Sequence, residues 1–435
     1  STVQGLPWSR MSSNDRLELA SQKSLHHRRV ICRACGGTAL RRFLSLGPTP
    51  LANAFLRSPN QFAAEARYPL DVYYCEICSL VQLLDVIDPE VLFRDYIYVT
   101  GTSDTMAAHN TVYAATLVEL LRLTASDLVV EAGSNDGSLL ACFAVHGVRT
   151  LGVEPAGNIA ALARKRGIDT LNLFFDARTA RQIRGAHGPA KAVLANNVLA
   201  HVDDPADFLR GCRSLLAADG LIVIEVPYLR ELLARLEYDT IYHEHLSYFS
   251  ITALLRLFEA AHLAVVRIDH VPVHGGSLRV YAAAWEERGR HADDVRAAAA
   301  AEQAAGLITF SRYQGFAQEV ASHRQRLCAL LEEVRAQGRT VAGYGAPAKG
   351  NTLLNYCGIG TDLLPYTVDK NPLKVGLFTP GMHIPVLPSE TLLERQPDYV
   401  LILAWNFADE IMRQQQIYRG RGGRFIIPLP VPEVL

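Results

Sequence analysis

Two Cys-x-x-Cys pairs, Cys32/Cys35 and Cys75/Cys78, constrain the chain more tightly than any other feature of its 435 residues. Each pair sets two thiolates on one short turn, and the four together can close the tetrahedral sulfur site that zinc favours. Four sulfur ligands leave no open coordination position, so one zinc ion per chain is expected, structural rather than catalytic. The spacer between the pairs is longer than in compact zinc fingers and has room for a small sheet. The competing reading is two unrelated pairs of free thiols. Eight cysteines are too few for a disulfide scaffold of this length, and their pairing fits a reducing compartment better. Cys142, Cys212, Cys328 and Cys357 fall in or beside helix-like segments and read as small core hydrophobes.

Composition narrows the partners. Lys+Arg is 43 against Asp+Glu 44, and such a balance supplies no long-range field to capture a polyanion, so no nucleic acid is expected. No apolar run approaches the roughly 18 residues of a membrane span. The first residues, with Leu6 and Trp8 among Gly, Ser, Arg and Asn, lack a secretory pattern. A cytoplasmic protein with no membrane association is expected. No heptad pattern supports a coiled-coil assembly, and the expected state is a monomer.

At roughly 100–200 residues per domain the length suggests about three domains. Residues 1–29 are polar, end in His26-His27-Arg28-Arg29 and read as a mobile extension. Residues 30–98 carry short, Pro- and Tyr-rich segments around the cysteines and read as the zinc domain. Across 99–290 the apolar runs Leu128-Val129-Val130, Thr150 to Val153, Ala192-Val193-Leu194 and Leu221 to Ile224 alternate with helix-length segments. That alternation predicts a parallel sheet with crossover helices. Residues 291–337 are Ala-rich and read as connecting helices. Residues 338–435 open a second βαβ pattern at Thr340 to Gly343, continuing through Pro365 to Asp369, Tyr399 to Leu403 and Phe425-Ile426-Ile427. The fold class is therefore α/β, with a central Rossmann-like domain, a small zinc domain before it and a Rossmann-like domain after it.

Directly after the first of these strands comes Glu131-Ala132-Gly133-Ser134-Asn135-Asp136-Gly137. Glycines at a strand-to-helix turn admit a ligand close to the backbone. The middle glycine of a dinucleotide fingerprint is missing, and an acid precedes Gly133 instead, which suits a ligand bearing an ammonium and no pyrophosphate. Glu154 ends the next strand, where a carboxylate can take both ribose hydroxyls. Asn196 and Asn197 end the fourth run, and Asp176, after Phe174-Phe175 on the third, is a candidate for an adenine amino group. With Asn196 to Pro205, this set, including Gly133, Asn135 and Gly137, resembles the S-adenosylmethionine (SAM) site of class I methyltransferases. A Rossmann domain for NAD is the rival.

A crowded polar loop, Tyr242-His243-Glu244-His245, follows the fifth strand. His-Glu-His lacks the i,i+4 spacing of a zinc-protease helix, so a second metal is not expected. Tyr, His and Glu at the carboxyl end of parallel strands look like acid–base equipment. Ser250 is placed to cap the helix that follows.

In this order, the cysteine pairs, Glu131 to Gly137, Asn196 to Pro205 and Tyr242 to His245 resemble the NDP-hexose 3-C-methyltransferases of deoxysugar pathways. So do Tyr96 to Ser103 and Gly343 to Asn351. The resemblance implies a three-domain, SAM-dependent enzyme with a structural zinc, acting on a dTDP-linked 4-keto-deoxysugar that the C-terminal domain helps to enclose. It places Tyr96, His201, Tyr242, Glu244 and His245 at the sugar. Methylating carbon requires a base to remove the carbon-3 proton and donors for the enolate oxygen. His245 is the expected base, with Tyr242 the alternative; Glu244 orients the cluster, and Tyr242 or His201 meets the oxygen. A base facing the donor across the ring implies inversion at carbon-3. Arg279, Lys349 and Asn351 are candidates for the diphosphate. Gly343-x-Gly345 is a poor pyrophosphate turn because Pro347 lacks a backbone donor. The rival functions are a sugar O- or N-methyltransferase, a nicotinamide-dependent sugar-nucleotide enzyme and a zinc-based interaction module.

Overall fold

The structure is a computed structural model, and it describes residues 25–93, 104–272 and 275–435. Its first strand, β1 (His26–Arg28), pairs antiparallel with β5 (Asp85–Ile87). The basic cluster therefore does not belong to a mobile extension reaching residue 29. Asp85 is 2% exposed, and a carboxylate so deep needs partners. Arg28 and His26 supply them at 2.8 and 2.9 Å. Between these strands β2 (Leu40–Thr49), β3 (Tyr68–Cys75) and β4 (Val81–Leu83) form an antiparallel sheet, with the second cysteine pair spanning the β3–β4 turn.

The central domain has five parallel strands: β6 (Leu128–Ala132), β7 (Arg149–Val153), β8 (Thr170–Leu171), β9 (Ala190–Asn196) and β10 (Leu216–Pro227). Their runs are apolar on both faces because both faces are covered: Val193 and Leu194, adjacent on β9, are each 0% exposed and belong to different cores. The third strand is the short Thr170–Leu171, and Phe174 and Phe175, read as part of that run, fall in the loop beyond it. The chain then returns to the zinc domain, where β11 (Ser247–Tyr248) pairs antiparallel with β4 as the fourth strand of that sheet. An antiparallel hairpin, β12 (Leu263–Val271) and β13 (Ser277–Ala284), finishes the central sheet in the order β12-β13-β10-β9-β6-β7-β8.

The connecting segment is two helices, Asp293–Ala304 and Phe310–Ala336. On the second, Tyr313, Phe316, Val320, His323, Leu327, Leu331 and Val334 are buried. Their three- and four-residue spacing makes one apolar stripe. That stripe joins Leu44, Val72 and Val81 of the zinc domain to Leu353, Leu401 and Ile426 of the C-terminal domain in one core. The C-terminal sheet runs β16-β15-β14-β17-β18-β19, parallel except for β19: β14 (Val341–Tyr344), β15 (Thr367–Asp369), β16 (Val386–Pro388), β17 (Tyr399–Ile402), β18 (Arg424–Ile427) and β19 (Glu433–Val434). No helix among the described residues is long and apolar enough to cross a membrane.

The helix Ile251–Ala260, just past the polar loop, is held at its start by two caps. Ser250 Oγ accepts from the Ala253 N–H, as its position predicts, and the buried Glu302 carboxylate accepts the N–H groups of Ile251 and Thr252 at 2.7 and 2.8 Å. Removing an acceptor from buried donors costs about 1–3 kcal/mol. Glu302→Ala is expected to lower the calorimetric melting temperature of the central domain, and an unchanged melting curve would show these bonds to be dispensable.

Candidate active site

The ends of the central strands supply the first half of the site. Gly133 has φ +65°, and a Cβ there would lie 2.4 Å from Val198 Cγ2, so only glycine fits the turn after β6. Asn135 follows with φ +48° and Gly137 with φ +73°, the latter opening the helix Ser138–Ala144. Glu131 is 4% exposed; its Oε1 accepts from Asn196 Nδ2 at 3.3 Å, while Oε2 is buried with no partner. Burial, with Glu154 and Asp136 nearby, pushes its carboxyl well above the usual range. A carboxyl in that state suits a cationic ligand that would restore its charge. Glu154 accepts the Asn135 and Ala156 N–H groups at 2.9 and 2.8 Å, which fixes it across the turn from Glu131.

The polar loop supplies the second half. His245 Nδ1 lies 2.8 Å from the Thr240 carbonyl, which can only accept, so Nδ1 carries the proton. In the neutral ring Nε2 is then the acceptor, and the Tyr242 hydroxyl donates to it at 3.0 Å. His201 stacks edge-on to His245 with centroids 4.8 Å apart, and burial pulls its pKa down to about 4, so its imidazole is neutral near pH 7. Glu244 is 2% exposed and accepts from Asn53 Nδ2 at 2.6 Å. His243 turns away, bonding the Pro69 carbonyl at 3.1 Å beneath the zinc sheet.

Both halves open on one cavity of about 580 Å³. Of the sequence candidates it is lined by Glu131, Gly133, Asn135, Glu154, Asn196, Asn197, His201, Tyr242, His245 and Lys349. Tyr96 lies outside the described residues, as does the stretch to Ser103. Glu244 and Gly137 stand behind the wall. Asp176 is not at the wall either: its carboxylate caps the helix Ala177–His187, taking the Thr179 N–H at 2.6 Å, and Phe174 and Phe175 line the cavity beside it.

Two of the three diphosphate candidates are engaged elsewhere. Arg279 is 6% exposed and bonds Glu225 through Nε at 2.6 Å, with its guanidinium over the Tyr113 ring. Burial opposes the charge on Glu225, but His109 and Arg279 hold it below the usual carboxylate range. Asn351 is 1% exposed and donates to the Ala52 carbonyl at 2.8 Å, clamping the loop that carries Asn53. Lys349 alone of the three reaches the cavity, bonding Asn406 Oδ1 at 2.9 Å. Burial lowers its pKa, opposed by Asp239 and Glu237. Asp369, at the end of β15, accepts the Ala346 and Asn371 N–H groups at 2.7 and 2.8 Å, so its carboxylate serves its own turn.

Sequence reasoning missed Lys374, Asn53, His109 and Glu225 at the wall. Lys374 is the most telling. It donates to the Ala346 carbonyl at 2.8 Å, and burial lowers its pKa against the pull of Asp369 and Glu244. It sits in an irregular stretch with no motif, and only domain docking brings it to the site.

Comparison with known proteins settles the family. Three family models match in series: a zinc binding domain at residues 32–93, a methyltransferase domain at 106–268 and a C-methyltransferase C-terminal domain at 272–430. The C-methyltransferase NovU of Streptomyces niveus is 41% identical over 404 residues, 93% of this chain and 96% of that protein. The chain belongs to this C-methyltransferase family. Among solved structures, 1,6-didemethyltoxoflavin-N1-methyltransferase of Burkholderia thailandensis is 24% identical over 41% of this chain and 79% of its own, with a TM-score of 0.31. Magnesium protoporphyrin IX methyltransferase of Synechocystis is 14% identical over 42% and 82%, also with a TM-score of 0.31.

The Glu131–Gly133–Glu154 turn fits SAM as the methyl donor: an ammonium would meet the orphaned Glu131 oxygen and a ribose the fixed Glu154. Zinc fits the four cysteines, whose sulfurs lie within 4.8 Å of one another, with Cys32–Cys78 at 3.5 Å and Cys35–Cys75 at 3.7 Å. Cys35→Ser is expected to abolish zinc in elemental analysis and unfold the N-terminal sheet; full zinc content would contradict the four-sulfur site. Because Glu131 is pushed toward its neutral form, binding a cation there favours loss of its proton. SAM binding should therefore release a proton and tighten as pH rises until free Glu131 ionises. Calorimetry in buffers of different ionisation enthalpy reads this, and proton uptake or pH-independent affinity would contradict it.

Proposed function

We propose that this C-methyltransferase adds a methyl group to carbon-3 of a 4-keto-deoxyhexose carried on a nucleoside diphosphate, with thymidine as the nucleoside that the family resemblance implies. One observation carries the reading: an oriented Tyr242–His245 pair and the Glu131/Glu154 donor turn share one cavity. A hydroxyl or amine acceptor already carries the attacking lone pair and can give up its proton as or after the methyl bond forms. A carbon acceptor must first lose a proton, and the 4-keto group makes the carbon-3 proton acidic.

His245 Nε2 takes that proton, and the electron pair of the C–H bond moves into an enolate. Once protonated, Nε2 can no longer accept from Tyr242, so the Tyr242 hydroxyl can donate to the enolate oxygen instead; neutral His201 offers a second polar contact. The positive charge on His245 is shared with the Thr240 carbonyl through Nδ1–H. Bound SAM supplies an electrophilic methyl group, and carbon-3 gains the bond that its sulfur loses. Lys349 and Lys374, the two lysines on the C-terminal wall, suit the diphosphate. Glu244, behind the wall, braces the loop by accepting from Asn53 at the wall.

A positioned base contributes about 10²–10⁴-fold. His245→Asn is expected to cut turnover by at least about 10²-fold while donor affinity stays at the wild-type value. Near-normal turnover would remove His245 from the role and leave Tyr242 as the base. NMR of the product tests the reaction class: a methyl on oxygen or nitrogen would overturn carbon methylation.

A further inference from the structure

The short turn Tyr238–Thr240 does two jobs at once. Its Thr240 carbonyl orients His245 at 2.8 Å, and its Asp239 side chain crosses to the C-terminal domain, where Oδ2 accepts the Trp405 indole N–H at 2.6 Å. Trp405 begins a turn just beyond β17, and the Lys349 ammonium lies 4.6 Å from its ring centroid while bonding Asn406. Asp239, Trp405 and Lys349 thus form a continuous link from the C-terminal wall of the cavity to the backbone acceptor of the base.

We propose that Asp239 is a positioning residue that docks the His245-orienting turn onto the C-terminal domain through Trp405. This rests on the reading above only for what His245 does, not for the docking itself. Asp239 is 0% exposed, and its Oδ1 has no partner. A carboxylate held that deep is costly unless a bond or a charge compensates it. Burial pushes its pKa up to about 6, against the opposing pull of Lys349 and the Trp405 bond. The two largest compensating groups, Lys349 and Trp405, come from the C-terminal domain, and only the backbone N–H groups of its own turn would remain to stabilise the carboxylate if that wall were undocked. The turn is therefore most stable when that wall is in place. Catalytic groups must be held to within about 0.5 Å, and a misplacement of about 1 Å can cost roughly 10²-fold.

The test compares Trp405→Phe, Asp239→Ala and Asp239→Asn in the full-length, zinc-loaded protein. The acceptor is dTDP-4-keto-6-deoxyglucose, and amide hydrogen exchange across residues 240–246 is read in parallel without substrate. Trp405→Phe keeps a ring beneath Lys349 but removes the indole donor. Asp239→Asn keeps an oxygen for that donor, whereas Asp239→Ala does not. Trp405→Phe and Asp239→Ala should lower kcat roughly ten- to hundredfold with SAM affinity unchanged, and speed exchange in 240–246. Asp239→Asn should recover most of the loss seen in Asp239→Ala and keep exchange slow. Wild-type exchange in Trp405→Phe, or an Asn variant as impaired as the Ala variant, overturns the proposal. If the wild type methylates no keto-sugar nucleotide, the functional reading falls, and the exchange comparison still decides the docking.

Discussion

The active site depends on a strand pairing of two residues. Ser247 and Tyr248, just past His245, pair with Gln82 and Val81 of the zinc domain. The Leu83 N–H bonds the Leu246 carbonyl at 3.0 Å, and the Leu246 N–H bonds the Ala200 carbonyl at 2.7 Å. The loop that carries His245 is thereby tied to the zinc sheet on one side and to the His201 turn on the other. So short a strand pair has little stability of its own; its partner must be rigid. Gln82 makes it so: it donates to Cys32 Sγ at 3.0 Å and accepts the Arg33 N–H at 3.1 Å. Structural zinc contributes roughly 10–16 kcal/mol in peptides, comparable to the roughly 5–15 kcal/mol that stabilises a whole domain. None of the four cysteines lines the cavity, and a metal held by four sulfurs keeps no open coordination position for chemistry. Its effect is mechanical, passing through Cys32, Gln82 and β4 to the loop.

The parallel strands of two sheets point their carboxyl ends at the cavity. The carboxyl ends of β6, β7, β9 and β10 and the residues just past them present Glu131, Glu154, Asn197 and Pro227, and the segments after β14, β15 and β17 present Lys349, Lys374 and Asn406. Ligands of open α/β sheets bind at such ends. The polar groups are divided accordingly: the carboxyl groups of Glu131 and Glu154 on the central-domain wall, Lys349 and Lys374 on the opposite wall, and the imidazoles of His201 and His245 between them. The shared core around the helix Phe310–Ala336 joins Leu229, Leu232 and Tyr238, which follow β10 of the central domain, to the zinc and C-terminal domains, which ties these walls together.

Much of this was legible in the sequence wherever local chemistry forces a local structure. The cysteine pairs, the Gly133 turn, the β-branched runs of the central sheet and the Ser250 cap are each dictated within a few residues. What the sequence did not disclose is set by contacts between distant segments. His26–Arg28 looked like a solvated tail because its partner, Asp85, lies a whole domain away in the chain. Asn351 and Arg279 looked like free polar groups because nothing local shows that Ala52 and Glu225 will occupy them. Asp176 sat at a plausible ligand position, yet a helix start closer to hand uses its carboxylate. Lys374 and Asn53 carry no motif, and β11 is too short to read as a strand belonging to another domain.

The account stands or falls on whether this site acidifies a carbon. The most direct measurement incubates the wild-type enzyme with a 4-keto-deoxyhexose nucleotide in heavy water without methyl donor, and follows carbon-3 by NMR and mass. The account predicts enzyme-dependent replacement of that single hydrogen by deuterium. Retention of the original hydrogen across every keto sugar tried, under conditions where the donor still binds, would contradict it.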